Sequence, residues 1–153
     1  MGITARLNVA PGTYILLLQN PLKNNVQIGR WREIEFEAGY YLYVGSAFGP
    51  GGVRARVLRH FRSDKSLRWH IDYLRAVTTP LGVWYTHDVV PHEHAWAGIL
   101  HSIDDLSPIP GFGCSDCRCK THLFYTTIEP TPARLFECLM GDDIQAWQVS
   151  KLT

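Results

Sequence analysis

Between Arg54 and His70 six basic side chains, Arg54, Arg56, Arg59, Arg62, Lys65 and Arg68, meet one acid, Asp64. That segment carries +5 on a chain of net charge +1, so the remainder is at −4. Cations clustered on a near-neutral protein suit a phosphate backbone, because contact there releases counterions from nucleic acid. The same run would serve equally as a solvated helix face. Further on, Cys114, Cys117, Cys119 and His122 offer four possible zinc ligands within nine residues. That is tighter than the paired knuckles of structural zinc sites. Reduced thiols in a loop tied down by Asp116 and Arg118 is the favoured reading, with Zn²⁺ second. Two other patterns fail on inspection. His92-Glu93-x-x-Trp96 lacks the second histidine of a zinc-protease helix, and Gly49-Pro50-Gly51-Gly52 lacks the Gly-Lys-Ser/Thr ending of a nucleotide-binding loop.

Strands and helices must position these groups. Thr13 to Gln19 is a β-prone apolar run, and Pro21 to Asn25 supplies turn chemistry before Val26 to Ile28. Glu33 to Glu37 alternates so that Ile34 and Phe36 share a face, and Tyr40 to Gly45 is a further strand. The opening third therefore reads as an antiparallel meander. After the break at Gly49 to Gly52, a helix is predicted from about Val53 to Phe61. Val53, Val57, Leu58 and Phe61 would form its apolar stripe, with Arg56, Arg59 and His60 together on the opposite side. A second helix is predicted over Leu67 to Val77, with Leu67, His70, Ile71 and Leu74 on one face; His70 there reads as buried and as a further candidate site residue. A strand at Gly82 to Thr86 follows. A third helix runs from near Pro91 to about His101, with Trp96, Ile99 and Leu100 inward. Ser107 to Lys120 reads as loop, and Thr131 caps a short last helix that Gly141 closes.

At 153 residues, 46% hydrophobic and 19% charged, the chain has the profile of one soluble globular domain. No apolar run approaches the ~18 residues of a membrane helix, and no secretory signal stands at the N-terminus. With three of the four cysteines crowded together, which is poor spacing for a disulfide framework, the expected location is the cytoplasm.

The order of features resembles the GIY-YIG nuclease superfamily. Gly12-Thr13-Tyr14 lies on a first strand, Tyr43-Val44-Gly45 on a later one, a helix with arginine and histidine follows, and Glu93 opens another helix. Tyr43 to Ala47 followed by Arg56 to Phe61 is the strongest part of the likeness. More narrowly, Trp69 to Leu74, Gly111 to Gly113, Ser115 to Cys119 and His122 to Phe124 look like an uncharacterised branch sometimes labelled Uri-type, whose members stand alone or are fused to a DNA-repair glycosylase. The resemblance implies a small α/β (α+β) domain, a small central antiparallel sheet flanked by helices. It divides the chain into a nuclease-like domain over residues 1–126 and a C-terminal helical extension over 127–153 packed on the same domain. Thr13 replaces the usual isoleucine, the arginine sits three positions late, and the superfamily's late asparagine has no clear counterpart.

What the resemblance implies is a metal-dependent endonuclease acting on DNA, structure-selective or weakly specific, and connected with repair. Hydrolysis of a phosphodiester needs an activated water, neutralisation of charge on the phosphoryl oxygens and help for the leaving oxygen. Glu93 would hold Mg²⁺ or Mn²⁺, hard cations that take oxygen ligands; from the residues alone it would be a carboxylate in a helix's first turn. Arg56 would grip the non-bridging oxygens bidentately, a geometry closed to lysine, and is preferred to its neighbour Arg54. Tyr14 and Tyr43 would face the site, one of them orienting or deprotonating the water, although strand tyrosines are more often core aromatics. His60 would be a proton shuttle or phosphate contact. Arg54, Arg59, Arg62, Lys65 and Arg68 are the nucleic-acid-binding candidates, DNA being favoured over RNA. His122 is a candidate to line the cleft in place of the missing asparagine. A repair glycosylase is the kind of protein partner implied, and no membrane is. The competing expectations are a catalytically idle nucleic-acid-binding module and a zinc-stabilised interaction domain.

Overall fold

The computed structural model describes residues 7–62, 66–113, 120–131, 135, 137, 139 and 145–148. Lys65, Cys114, Cys117, Cys119 and most of the expected Thr131–Gly141 helix lie outside the described residues; Leu135, Glu137 and Leu139 are helical.

The chain forms β1 (Gly12–Asn20), β2 (Asn24–Ile28), β3 (Arg32–Phe36), β4 (Gly39–Ala47), α1 (Gly52–Phe61), α2 (His70–Arg75), β5 (Thr79–Thr86), α3 (Glu93–His101), β6 (Ser107–Pro108), β7 (Leu123–Thr126) and β8 (Gln145–Gln148). This is a mixed α/β fold. Six strands make one antiparallel sheet in the order β6-β7-β4-β1-β5-β8. The other two, β2 and β3, pair only with each other.

Why β1 is central follows from its sequence. Side chains alternate across a strand, so a run that is apolar at nearly every position must be covered on both faces. Tyr14, Leu16 and Leu18 enter one core with Val53, Val57, Ile71 and Leu74 from α1 and α2. Ile15 and Leu17 enter a second core on the opposite face with Trp84, Trp96 and Leu100, which places α3 there, together with Leu135 and Leu139. Among the described residues no helix is long and apolar enough to cross a membrane.

Several expectations change. The opening third is not a meander: β1 pairs directly with β4 from Gly12 opposite Ala47 to Asn20 opposite Gly39. β2 and β3 leave the sheet as a hairpin whose apolar side, Ile28 and Phe36 foremost, closes the first core beside α2. Next, α2 begins at His70, and Leu67 is exposed. The carboxylate of Asp72 accepts the backbone N–H groups of Arg68 and Trp69, both at 2.9 Å, which fixes a non-helical entry there. Lastly, His60 is fully buried and shares the inward face of α1 with Val53 and Val57, opposite to the polar side expected for it. β6 is a strand in the stretch read as loop, β8 is a strand in the extension read as helical, and β7 lies where no element was assigned.

Asp72 also binds Arg59 through both oxygens, at 2.6 and 3.0 Å, and so ties α2 to α1. Burial pushes the Asp72 carboxyl up, but the Arg59 guanidinium and the two backbone N–H groups outweigh it and hold the carboxyl below its ordinary range. A folded pKa below the unfolded value means stabilisation that is present above ~3.9 and is lost as pH falls through the folded value. Asp72→Ala is therefore expected to cost about 3 kcal/mol at pH 7, because a mostly buried guanidinium loses its carboxylate. Denaturant unfolding of both proteins checks it: their difference should shrink below about pH 4.

Candidate functional site

β7 pairs with β4 only from Tyr40 to Tyr43, so the end of β4 at Gly45 and Ser46 has no neighbour in that strand. A cleft of about 400 Å³ opens at this place, reached from both faces of the sheet. Tyr14 from β1, Tyr43 from β4 and Arg56 from α1 line it on one side, and Glu93, the first residue of α3, enters from the other. Arg68, Trp69, His70 and His122 complete its wall.

The placement of Glu93 depends on Thr13. Its Oγ1 accepts the backbone N–H of His92, the residue before Glu93, at 3.0 Å. The hydroxyl thus anchors the start of α3 to β1, a task that an isoleucine at this position could not perform.

Tyr14 is the best defined of the cleft's polar groups. Its hydroxyl lies 2.6 Å from His60 Nε2 inside the protein. Burial raises the phenol well above its usual value; Tyr43 and Glu93 act in the same direction, while the nearby Arg56 guanidinium opposes them. In the tautomer with Nδ1 protonated, His60 Nε2 accepts the Tyr14 O–H. Sequence periodicity placed His60 among surface cations, and the structure places it behind Tyr14.

Gly45 makes the Tyr14 position possible. A Cβ on Gly45 would stand 2.3 Å from both Tyr14 Cζ and the hydroxyl oxygen. Only glycine lets this phenol lie across β4. Arg56 is held a second way, with its guanidinium 4.4 Å from the Trp69 ring centroid.

The expected nucleic-acid contacts divide. Arg68 lines the cleft. Arg54 and Arg62 are exposed but do not line it, and Arg59 is bound to Asp72 and to the Ser66 carbonyl. His70 is half-buried, not fully as expected. Its Nδ1 accepts the Gly113 N–H at 2.9 Å, and burial, with Arg32, lowers its pKa. The ring is neutral at pH 7, and its other nitrogen carries the proton.

For a divalent cation the available donors are the Glu93 carboxylate and, 3.5 Å from it, His122 Nδ1. Among the described residues no group of three His, Cys, Asp or Glu could hold a metal ion. One carboxylate opening into a cleft with room for water fits Mg²⁺ or Mn²⁺, which keep several waters and need one or two protein carboxylates. The thiols of the zinc expectation lie outside the described residues. Trp69, Ser46 and His94 line the cleft without having been singled out as site residues. They come from distant segments, and no spacing in the sequence joins them.

Residues 13–143 match the family described as Domain of unknown function DUF123. The chain belongs to that family. The matched DUF123 span contains every cleft residue named above, and its end at residue 143 lies beyond the helical Leu135 and Leu139 that close the second core. No curated protein and no solved structure matches the chain.

Proposed function

We propose that this protein is a metal-dependent endonuclease of the GIY-YIG type that hydrolyses phosphodiester bonds in DNA. The observation that carries the reading is the convergence of Tyr14, Tyr43, Arg56 and Glu93 on one cleft from four separate elements on both faces of the sheet. A structural role explains each of these residues singly, but a core tyrosine has no need of a guanidinium, and a helix-start carboxylate has no need of a cleft.

In this account the scissile phosphate lies against Arg56, whose N–H groups meet the non-bridging oxygens. Glu93 would hold Mg²⁺ or Mn²⁺, which when bound would supply positive charge against the charge that builds on the phosphoryl and leaving oxygens. The attacking water is oriented by the hydroxyls of Tyr14 and Tyr43. As its oxygen bonds to phosphorus and the bond to the leaving oxygen breaks, its proton passes to the Tyr14 oxygen while the Tyr14 proton moves to His60 Nε2. This relay lets a phenol with a raised pKa act without standing ionised. His122, beside Glu93, takes the place expected for the superfamily's asparagine, and Arg68 extends phosphate contact along the strand. The setting is DNA repair, with a glycosylase as the kind of partner.

The reading is tested by incubating labelled single-stranded, branched and duplex DNA, and RNA, with the protein in Mg²⁺, Mn²⁺ or EDTA. Cleavage that requires the metal is the expected result. Salt-dependent binding without cleavage under any condition would instead favour an idle binding module.

A further inference from the structure

Two indoles, one on the cleft wall and one beyond it, keep far more surface in water than a core tryptophan does. Trp31, in the turn between β2 and β3, is 36% exposed, and Trp69, on the cleft wall, is 37% exposed. Trp31 is nevertheless held firmly. Its ring lies flat on His70, with centroids 4.5 Å apart and planes at 10°. Phe112 meets its edge, and the Arg32 guanidinium lies 4.1 Å from its centroid. Arg32 itself is fixed by the Pro110 carbonyl. The His70 plane is set in turn by the Gly113 N–H. Flat groups therefore run from a residue of the cleft wall out to the hairpin turn, where Arg30 and Arg32 are exposed.

Preorganised flat surfaces beside cations are what an unpaired nucleotide can use. Every base has a π-face, guanidinium planes and aromatic rings both stack on it, and the flanking phosphates meet the arginines. A base inside a duplex has both faces covered by its neighbours and gains nothing here. We propose that the Arg32–Trp31–His70 stack is a nucleobase seat, the base lying on the exposed Arg32 guanidinium that the Trp31 ring backs, and that the cleft takes strands whose bases are unpaired beside the phosphate that lies on Arg56. The proposal rests on the nucleic-acid reading of this cleft and narrows it to single-stranded or locally opened substrates.

The test is affinity in EDTA, where cleavage plays no part. Fluorescence anisotropy of an end-labelled oligonucleotide, single-stranded or annealed to its complement, is measured with wild type, Trp31→Ala and Trp31→Tyr. Wild type should prefer the single strand. Trp31→Ala should weaken single-strand binding about tenfold and leave duplex binding nearly unchanged, while Trp31→Tyr recovers most of the loss. The ratio of the two affinities guards against a folding defect, which would lower both together. Equal losses on both substrates, or no loss on either, overturn the seat. Duplex binding with no single-strand preference sinks the seat and leaves the nuclease reading standing; failure of wild type to bind either form sinks both.

Discussion

Arg56→Lys is expected to lose about 10³-fold in kcat/KM on a cleavable oligonucleotide, with the cooperative melt retained. Lysine keeps the charge, so a site that needs only a positive potential would hardly notice the change. The surroundings of Arg56 ask for more than charge. Its guanidinium stacks on Trp69 in the cleft that Tyr14 also lines, and in the proposed reaction it meets the non-bridging oxygens of the phosphate as well. One planar, multiply donating group can meet these demands together, whereas an ammonium on a flexible stem cannot. The measurement is single-turnover cleavage beside thermal melting. Wild-type rates in the lysine variant would show that Arg56 supplies charge alone.

Gly45→Ala is expected to lower activity at least 10²-fold and to destabilise the protein by about 1–3 kcal/mol, through one added methyl group. The new carbon would lie 2.3 Å from Tyr14 Cζ and 2.8 Å from Cε1, well inside contact distance. Tyr14 is 1% exposed, with its ring in the first core. That ring must turn or β4 must shift, and either movement breaks the 2.6 Å contact with His60. Melting and cleavage measured together check this. An alanine variant with unchanged melting and full activity would show that the phenol's position is not needed.

Much of the scaffold can be read from local pattern. The apolar run of β1, the aromatic run of β4, the glycine break before α1 and the proline before α3 each carry their own signal. Pairing is less legible. A meander follows from chain order, but β1 and β4 are nine residues each and match along their whole length, whereas the five residues of β3 cannot cover β1. The start of α2 is set by the Asp72 carboxylate turned back on Trp69, and Leu67, apolar in the right register, gives no sign of it. β7 and β8 are four-residue strands without clear alternation and exist because β4 and β5 present open edges to them.

The same division runs through the site. Tyr14, Tyr43, Arg56 and Glu93 stand out by family likeness, and the cleft joins them. His60 was legible as a residue of interest but not as a buried one. Hydrophobic patterning assigns a histidine to the wet side of a helix, and the Tyr14 hydroxyl, 46 residues away in the chain, is a partner that permits its burial. Arg59 shows the opposite error, since it was counted among surface cations and is bound to a buried carboxylate. Charge clustering along a sequence does not reveal which cations are already bound to an acid within the fold.

Glu93→Gln bears most directly on the central claim. The substitution keeps the side chain's shape and the His92–Thr13 anchor while removing the negative charge that would hold a divalent cation. Single-turnover cleavage of a labelled oligonucleotide is followed across a Mn²⁺ titration for wild type and variant. The account predicts a wild-type rate that rises with Mn²⁺ and vanishes in EDTA, and a variant about 10³-fold slower at every concentration. A variant that cuts at the wild-type rate, or a wild type that cuts equally well in EDTA, would contradict it.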